Sequence, residues 1–173
     1  MPGIDHLQPC QNQGKQGTVH CFPGEDCWPL QSEIVRFGDT LDGELLMPDD
    51  ELYANLTIMK NIRVTKYPAM IAVIKTVEDV QKCVQWAHAK SIRLVVQSSG
   101  HDFQGRSTAD GSLMVYLGNM TDISINLNSQ RSDCPFGEIS LESGNQWKSV
   151  YLEVNIFYLL MESKTIVSLH KVK

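Results

Sequence analysis

The stretch from residue 70 to residue 97 constrains the fold most, because it has the pattern of a strand, a helix and a second strand. Residues 70–75 form a short apolar run rich in β-branched side chains after a Tyr-Pro break, which indicates a buried strand. Thr76 with Asp79 resembles a capping box and predicts a helix that ends near Lys90. Residues 92–97 supply the next apolar run, and the crossover is long enough for parallel pairing. The apolar positions of the helix recur at helical spacing: Val80, Cys83, Val84 and Ala87.

Further patterns extend this unit to an α+β fold with α/β character. Residues 112–117 read as another strand, while 123–127 and 138–142 alternate apolar and polar residues as half-exposed strands do. A short helix is expected within residues 32–46, turning at Gly43, and the ordered core is expected to begin after it. A chain of 173 residues with 42% hydrophobic content predicts one globular unit.

Charge and hydropathy exclude two classes of partner. The net charge is −5, and no cluster of Lys and Arg is present to bind a phosphate backbone, so we expect no nucleic-acid partner. No window approaches the roughly 20 apolar residues of a spanning helix. The nearest, residues 156–161, is short and is followed by Glu162 and Lys164. We therefore expect no membrane partner.

Residues 1–30 have neither helical nor strand periodicity and read as a cysteine-containing leader. Cys10, Cys21 and Cys27 crowd into it, which suits a disulfide-stapled segment in an oxidising compartment, although no apolar signal region lies there. Zinc bound by His20 and these cysteines is the alternative, but the gaps lack the short spacing of zinc knuckles. Cys134 reads as structural or free. Two glycosylation sequons, at Asn55 and Asn119, fit the same compartment.

The polar loop after residues 92–97 is the candidate site. Gly100 and Gly105 permit backbone N–H groups to converge on an anion such as a phosphate, and Arg106 could add a fixed cation. An ordinary turn is the commoner role of such a loop, and a lone histidine such as His101 is more often structural than catalytic. Four hydroxyls could donate to phosphate oxygens: Ser98, Ser99, Ser107 and Thr108.

Residues 99–108 resemble the G-H-D-F-x-G-R-S-T signature of FAD-linked oxidoreductases of the berberine-bridge-enzyme-like family, whose flavin domain is of the p-cresol methylhydroxylase type. The cysteine-flanked P-G-E-D-C-W-P segment at 23–29, the G-S-L at 111–113 and the G-x-x-W-x-x-V-Y at 144–151 also resemble family motifs. The resemblance covers roughly residues 20–155. The positions that match the family's strand and helix before the loop are Pro68, Ile71, Asp79, Val80, Gln81 and Val84.

This resemblance implies an FAD cofactor and the first part of a flavin-binding domain. It implies an oxidoreductase that moves hydride from a small organic substrate to the flavin and electrons to dioxygen, with His101 as the covalent attachment residue. Two positions depart from the family pattern: Gln97 stands where many members have Arg, and Ser99 where many have Gly. The implied cofactor-binding residues are Gln97, Ser98, Ser99, Gly100, His101, Asp102, Phe103, Gly105, Arg106 and Ser107. No metal site, catalytic base or substrate class is implied.

Three parts of the chain follow from these patterns. Residues 1–30 are the leader, 31–155 are the beginning of the flavin domain, and 156–173 match no family motif, so we expect a tail from a truncated or alternatively spliced frame. The alternatives to an active oxidoreductase are an inactive flavin-domain fragment and a secreted, disulfide-linked module without cofactor. The resemblance to secreted members predicts an extracellular or secretory location.

Overall fold

The computed structural model describes residues 20–127 and 137–160, with side chains described through residue 155. It is a mixed α and β structure, as the sequence predicted. The elements in chain order are α1 (Gln31–Gly38), β1 (Glu44–Leu46), α2 (Glu51–Thr57), β2 (Met70–Val73), α3 (Val77–Ala89), β3 (Leu94–Gln97), β4 (Leu113–Tyr116), β5 (Ile123–Asn126), β6 (Glu138–Leu141) and α4 (Trp147–Leu160).

The predicted strand, helix and strand are β2, α3 and β3, and both strands run parallel within one sheet. They are not neighbours, however, because the sheet order is β1-β2-β4-β3. β4 pairs in parallel with both, and β1 pairs with β2 in antiparallel. Leu113, Met114 and Val115 of β4 are fully buried, as expected of a strand covered on both faces and both edges. β4 is therefore an inner strand of the sheet, between β2 and β3.

The N-terminus of α3 confirms the predicted capping box. The Thr76 side chain accepts a hydrogen bond from the Asp79 N–H, and Cys83 and Ala87 face the core. Val84, one of the apolar positions at helical spacing, is 50% exposed. It lies on the far flank of the buried stripe, and Trp86 packs against the core from the opposite flank.

The ordered core begins earlier than predicted. α1 places Ile34 and Phe37 in the core, where the Phe37 ring stacks on Trp86 with centroids 4.3 Å apart. The expected helix within 32–46 ends at Gly38, and residues 44–46 form β1 instead. α2 was not predicted, because its single buried residue, Tyr53, gives no helical pattern.

Asp79 fastens this early part of the chain to α3. Its fully buried carboxylate accepts hydrogen bonds from the N–H groups of Asp42, Gly43, Lys75 and Thr76. Burial alone acts to raise the pKa of Asp79, but these four N–H donors outweigh it and lower the pKa. The turn predicted at Gly43 is thus a contact point between β1 and the α3 cap.

We call β5, β6 and α4 the C-terminal layer, because β5 and β6 form a second sheet of their own. β5 and β6 pair in antiparallel, with Ile123 opposite Leu141 and Ile125 opposite Ile139, and both strands are half-exposed as predicted. α4 then begins at Trp147 and continues past residue 155. Within the described ranges, no helix has both the length and the apolar character needed to cross a bilayer.

Candidate functional site

The predicted loop lies at the carboxyl end of β3 and is the connection to its neighbour β4. Adjacent parallel strands need a long crossover, and here residues 98–112 make it without a helix. The first part of the connection lines a cavity of about 590 Å³. The residues that line it are Val96, Ser98, Ser99, Gly100, His101, Asp102, Phe103, Gln104, Arg106 and Ser107.

Of the predicted site residues, Gln97 and Gly105 do not line this cavity. Gln97 is buried at the end of β3, and its side-chain amide donates to the Leu56 carbonyl at 3.4 Å. Gly105 has a φ of +68° and packs so closely on Val64 that a β-carbon would overlap that side chain. Gly100 also has a left-handed backbone, with a φ of +70°. Both glycines are therefore required by backbone shape, as the sequence predicted.

Three buried polar atoms around this loop have no hydrogen-bond partner among the described residues. They are Gln97 Oε1, Ser107 Oγ and Thr108 Oγ1. Buried polar atoms are normally satisfied, so a group beyond the described residues, such as a ligand or ordered water, is expected to pair with them. The Ser107 and Thr108 hydroxyls can donate to an anion, and Ser107 lines the cavity, whereas Gln97 Oε1 can only accept.

Asp102 and Arg106 form an ion pair within the loop. The Arg106 Nη2 and Nε atoms donate to Asp102 Oδ1 at 3.1 and 3.2 Å, and the Arg106 backbone N–H donates to Oδ2. The Gln104 N–H also donates to Oδ1, at 3.2 Å. These donors, the Arg106 guanidinium first, lower the pKa of Asp102 to about 2. The cation predicted to face a phosphate is thus already paired with a carboxylate.

Residues 58–67 make hydrogen bonds and a packing contact with the loop, which the sequence analysis did not predict. Asn61 Nδ2 donates to the Phe103 carbonyl at 2.9 Å, and Lys66 Nζ donates to the Gly105 carbonyl at 3.0 Å. Val64 fills the space beside Gly105. We call this segment the strap. It has no periodicity in the sequence, so pattern analysis could not have found it.

His101 and Ser98 make the remaining polar contacts of the loop. His101 is exposed, and its Nδ1 lies 3.1 Å from Ser99 Oγ. The Ser98 hydroxyl donates to the Ser143 carbonyl, which connects the loop to the segment between β6 and α4. Phe103 is 62% exposed at the cavity rim.

The cysteines of the described residues have separate roles. Cys21 and Cys27 form a disulfide, so their sulfurs are not available as the zinc thiolates considered above. Cys83 is free and buried, and burial raises the pKa of its thiol to about 12, which keeps it unreactive. Cys10 and Cys134 lie outside the described residues.

Comparison with known proteins identifies the family. The family described as "FAD binding domain" matches residues 68–162, a range that includes the loop and the whole of α4. The chain belongs to this family. The matched range ends at residue 162, and the domain bounds at residues 31 and 155 stay a prediction.

Relatives and solved structures agree with this assignment. The FAD-linked oxidoreductase apf9 of Gibberella fujikuroi is 25% identical, over 78% of this chain and 31% of that protein. The structure of the VAO-type flavoprotein MtVAO615 from Myceliophthora thermophila matches with a TM-score of 0.68 at 18% identity, over 80% of this chain and 34% of that one. The glucooligosaccharide oxidase of Acremonium strictum matches with a TM-score of 0.58 at 24% identity, over 67% and 23%. The chain thus spans between about a quarter and a third of the length of these relatives.

These findings confirm the resemblance to FAD-linked oxidoreductases, the fold class and FAD as the cofactor of this family. The cavity, the left-handed glycines and the unpartnered Ser107 hydroxyl fit an FAD binding domain, because a pyrophosphate needs close backbone approach and hydrogen-bond donors. Which residues contact the cofactor remains a prediction.

Proposed function

We propose that the loop of residues 97–107 binds the pyrophosphate of FAD and that the protein acts as an FAD-dependent oxidase of a small organic substrate. When bound, FAD would supply the two-electron chemistry, accepting hydride from a substrate carbon and passing electrons to dioxygen. The chain's own contribution is to hold and orient the cofactor. The observation that carries the proposal is the polar cavity on a glycine-shaped loop at the carboxyl end of β3.

The backbone of Ser99, Gly100 and His101 supports this role. Among the described residues, none of their N–H groups donates a hydrogen bond, and all three residues line the cavity. The Ser107 hydroxyl is a further donor without a partner there. Converging N–H and O–H donors are what a phosphate requires.

His101 is proposed as the residue that becomes covalently bound to the flavin. It lines the cavity and is exposed, so its ring is accessible to a bound cofactor. The glucooligosaccharide oxidase of Acremonium strictum carries a histidyl FAD, which supports the proposal by analogy.

The test is an absorbance spectrum of the purified chain before and after acid precipitation. Wild-type protein should be yellow, and the colour should stay with the precipitate. His101→Ala should bind flavin that the acid releases, whereas His88→Ala, which alters an exposed histidine that does not line the cavity, should keep the colour in the precipitate. A chain that stays colourless with added FAD would refute the proposed function, and a yellow pellet from His101→Ala would refute only the attachment residue.

A second candidate is a flavin-domain fragment without turnover. The exposed side chains of Trp147, Tyr151 and Leu152 on α4 favour it, because apolar surface of this kind is usually covered in a complete enzyme. Aggregation that oxidoreductase substrates and FAD do not prevent would support the fragment. A monodisperse chain that reduces dioxygen in the presence of a substrate would exclude it.

We also propose that the chain functions in an oxidising secretory or extracellular compartment. The Cys21–Cys27 disulfide supports this, since such bonds persist in those compartments. Asn55 and Asn119 are exposed, so both sequons are accessible to glycosylation. In a eukaryotic host, a glycosidase-sensitive mobility shift that disappears in Asn55→Gln/Asn119→Gln is expected; reduced cysteines and no shift would place the chain elsewhere.

A further inference from the structure

The proposed cofactor loop, residues 97–107, contains two parts that differ in how many of their hydrogen-bonding groups are already paired. The N–H groups of residues 99–101 have no partner among the described residues, and we call them the open arc. In residues 102–106, by contrast, the N–H groups of Gln104, Gly105 and Arg106 donate within the turn, although those of Asp102 and Phe103 have no partner among the described residues. Two of its carbonyls are bonded to the strap, and we call these residues the closed turn. The difference matters because a phosphate can bind only to donors that are not already in use.

Asp102 closes the turn by acting as its internal anion. Its carboxylate accepts from the N–H groups of Gln104 and Arg106 and from the Arg106 guanidinium, which are the donor types that a phosphate would use. The Asp102 carbonyl also accepts from the Gly105 N–H at 3.3 Å. The Asp102 side chain is 18% exposed and that of Arg106 is 77% exposed, so the carboxylate is the inner member of the pair.

The carbonyl groups of the closed turn are held as well. Phe103 and Gly105 accept from Asn61 and Lys66 of the strap. Asp102 thus accepts from three N–H groups of the turn, and the strap donates to two of its carbonyls. That arrangement fixes where the backbone enters the open arc and where Ser107 follows it.

We propose that Asp102 is a positioning residue for FAD: it forms the closed turn with Arg106 before the cofactor arrives, and the open arc with Ser107 then receives the pyrophosphate. Arg106 acts through Asp102 and is not the cation that contacts the phosphate. This inference rests on the proposed function, because it assigns separate tasks to residues of the same loop.

Two substitutions distinguish this proposal from its alternative, because the two predict opposite changes in FAD affinity for one of them. If Asp102 positions the loop, Asp102→Asn and Arg106→Gln both loosen the turn, so each should weaken FAD binding by about tenfold. The double variant should bind no more weakly than either single variant, since both remove the same interaction. The slope of affinity against salt should stay that of the wild type.

The rival is that Arg106 contacts the phosphate and Asp102 competes for it. In that case Asp102→Asn would free the guanidinium and tighten FAD binding, whereas Arg106→Gln would weaken it and reduce its salt dependence. Either result overturns the inference. Asp26→Asn is the matched control, because it removes one exposed carboxylate far along the chain from the loop and should leave the affinity unchanged.

A readout without cofactor keeps the inference testable if the proposed function fails. Amide hydrogen exchange in the chain without FAD should be slow at Gln104 and Arg106, and Asp102→Asn should accelerate it at these two positions while Asp26→Asn does not. Exchange at Gln104 and Arg106 as fast as at Gly100 in the wild type would overturn the inference. If the chain protects these amides but binds no FAD, the proposed function is refuted. The role of Asp102 in ordering the turn would still be supported.

Discussion

The four-stranded sheet and the C-terminal layer bury their apolar residues to very different extents. In the sheet, Met70, Ile71 and Ala72 of β2 are fully buried, as are Leu113 and Met114 of β4. In the C-terminal layer, β5 and β6 are half-exposed, and Trp147, Tyr151 and Leu152 of α4 are each about half exposed. Val150 is the one fully buried side chain among the described residues of α4. The difference teaches that the sheet region has a core of its own, and this core supports the loop between β3 and β4.

Matched isoleucine substitutions should give the largest contrast. Ile71→Ala in β2 should destabilise the chain by about 2–5 kcal/mol, because it leaves a cavity among fully buried neighbours. Ile125→Ala in the half-exposed β5 should cost about 1 kcal/mol or less. Urea unfolding of both variants measures this, and equal losses would show that the two layers form one core.

Asp79→Asn should rank next, at about 2–4 kcal/mol, since it places amide hydrogens against backbone N–H groups in a buried position. Because the pKa of Asp79 is lowered by folding, its contribution is present above the unfolded pKa of about 3.9 and is lost as the pH falls below it. Unfolding curves between neutral and acidic pH should therefore converge for wild type and variant at low pH. Asp42→Asn, which alters a 64% exposed carboxylate, should change little.

Gly105→Ala tests whether the loop belongs to the rigid region. The left-handed φ and the contact with Val64 together predict a loss of about 1–3 kcal/mol. Gly24→Ala is the matched control, since its φ is +90° but no atom lies within 4 Å of the added β-carbon, so it should lose less. If both variants unfold at the same denaturant concentration, the strap does not press on the loop.

The smallest effect is expected at the exposed aromatic pair of α4. Trp147 and Tyr151 have ring centroids 5.6 Å apart, and replacing both with Ser should change the free energy of unfolding by about 0.5 kcal/mol or less. The aggregated fraction, measured by sedimentation, should fall because exposed apolar surface is removed. Trp86→Ser, which breaks the stack on Phe37, should instead destabilise strongly. A large stability loss at Trp147 would contradict the contrast between the two layers.

Periodicity predicted the elements that alternate or repeat, and it failed where burial depends on distant contacts. The β2–α3–β3 unit and the capping box of Thr76 were predictable, because local spacing defines them. The position of β4 between β2 and β3 was not, since strand order is set by long-range packing. α2 and β1 were missed because each buries too few residues to produce a pattern.

The candidate site shows the same division. Gly100 and Gly105 predicted an unusual backbone conformation, and both have a positive φ. The resemblance to a flavin-domain signature predicted FAD as the cofactor, which the family match confirms. The Asp102–Arg106 pair lies within the motif, but the sequence suggested Arg106 as a phosphate ligand and gave no sign of their pairing. The strap could not be anticipated, because Asn61 and Lys66 hold the loop from about forty positions earlier in the chain.

The strand order has a consequence for synthesis on the ribosome. β4 is the last strand of the sheet to be made, yet it joins β2 to β3. Until residue 116 has left the ribosome, β3 has no partner strand in the sheet and β2 is paired on one side alone, so both nascent edges are open to wrong pairing. The loop of residues 98–112 is made just before β4, so the candidate site takes shape in the same step that completes the sheet.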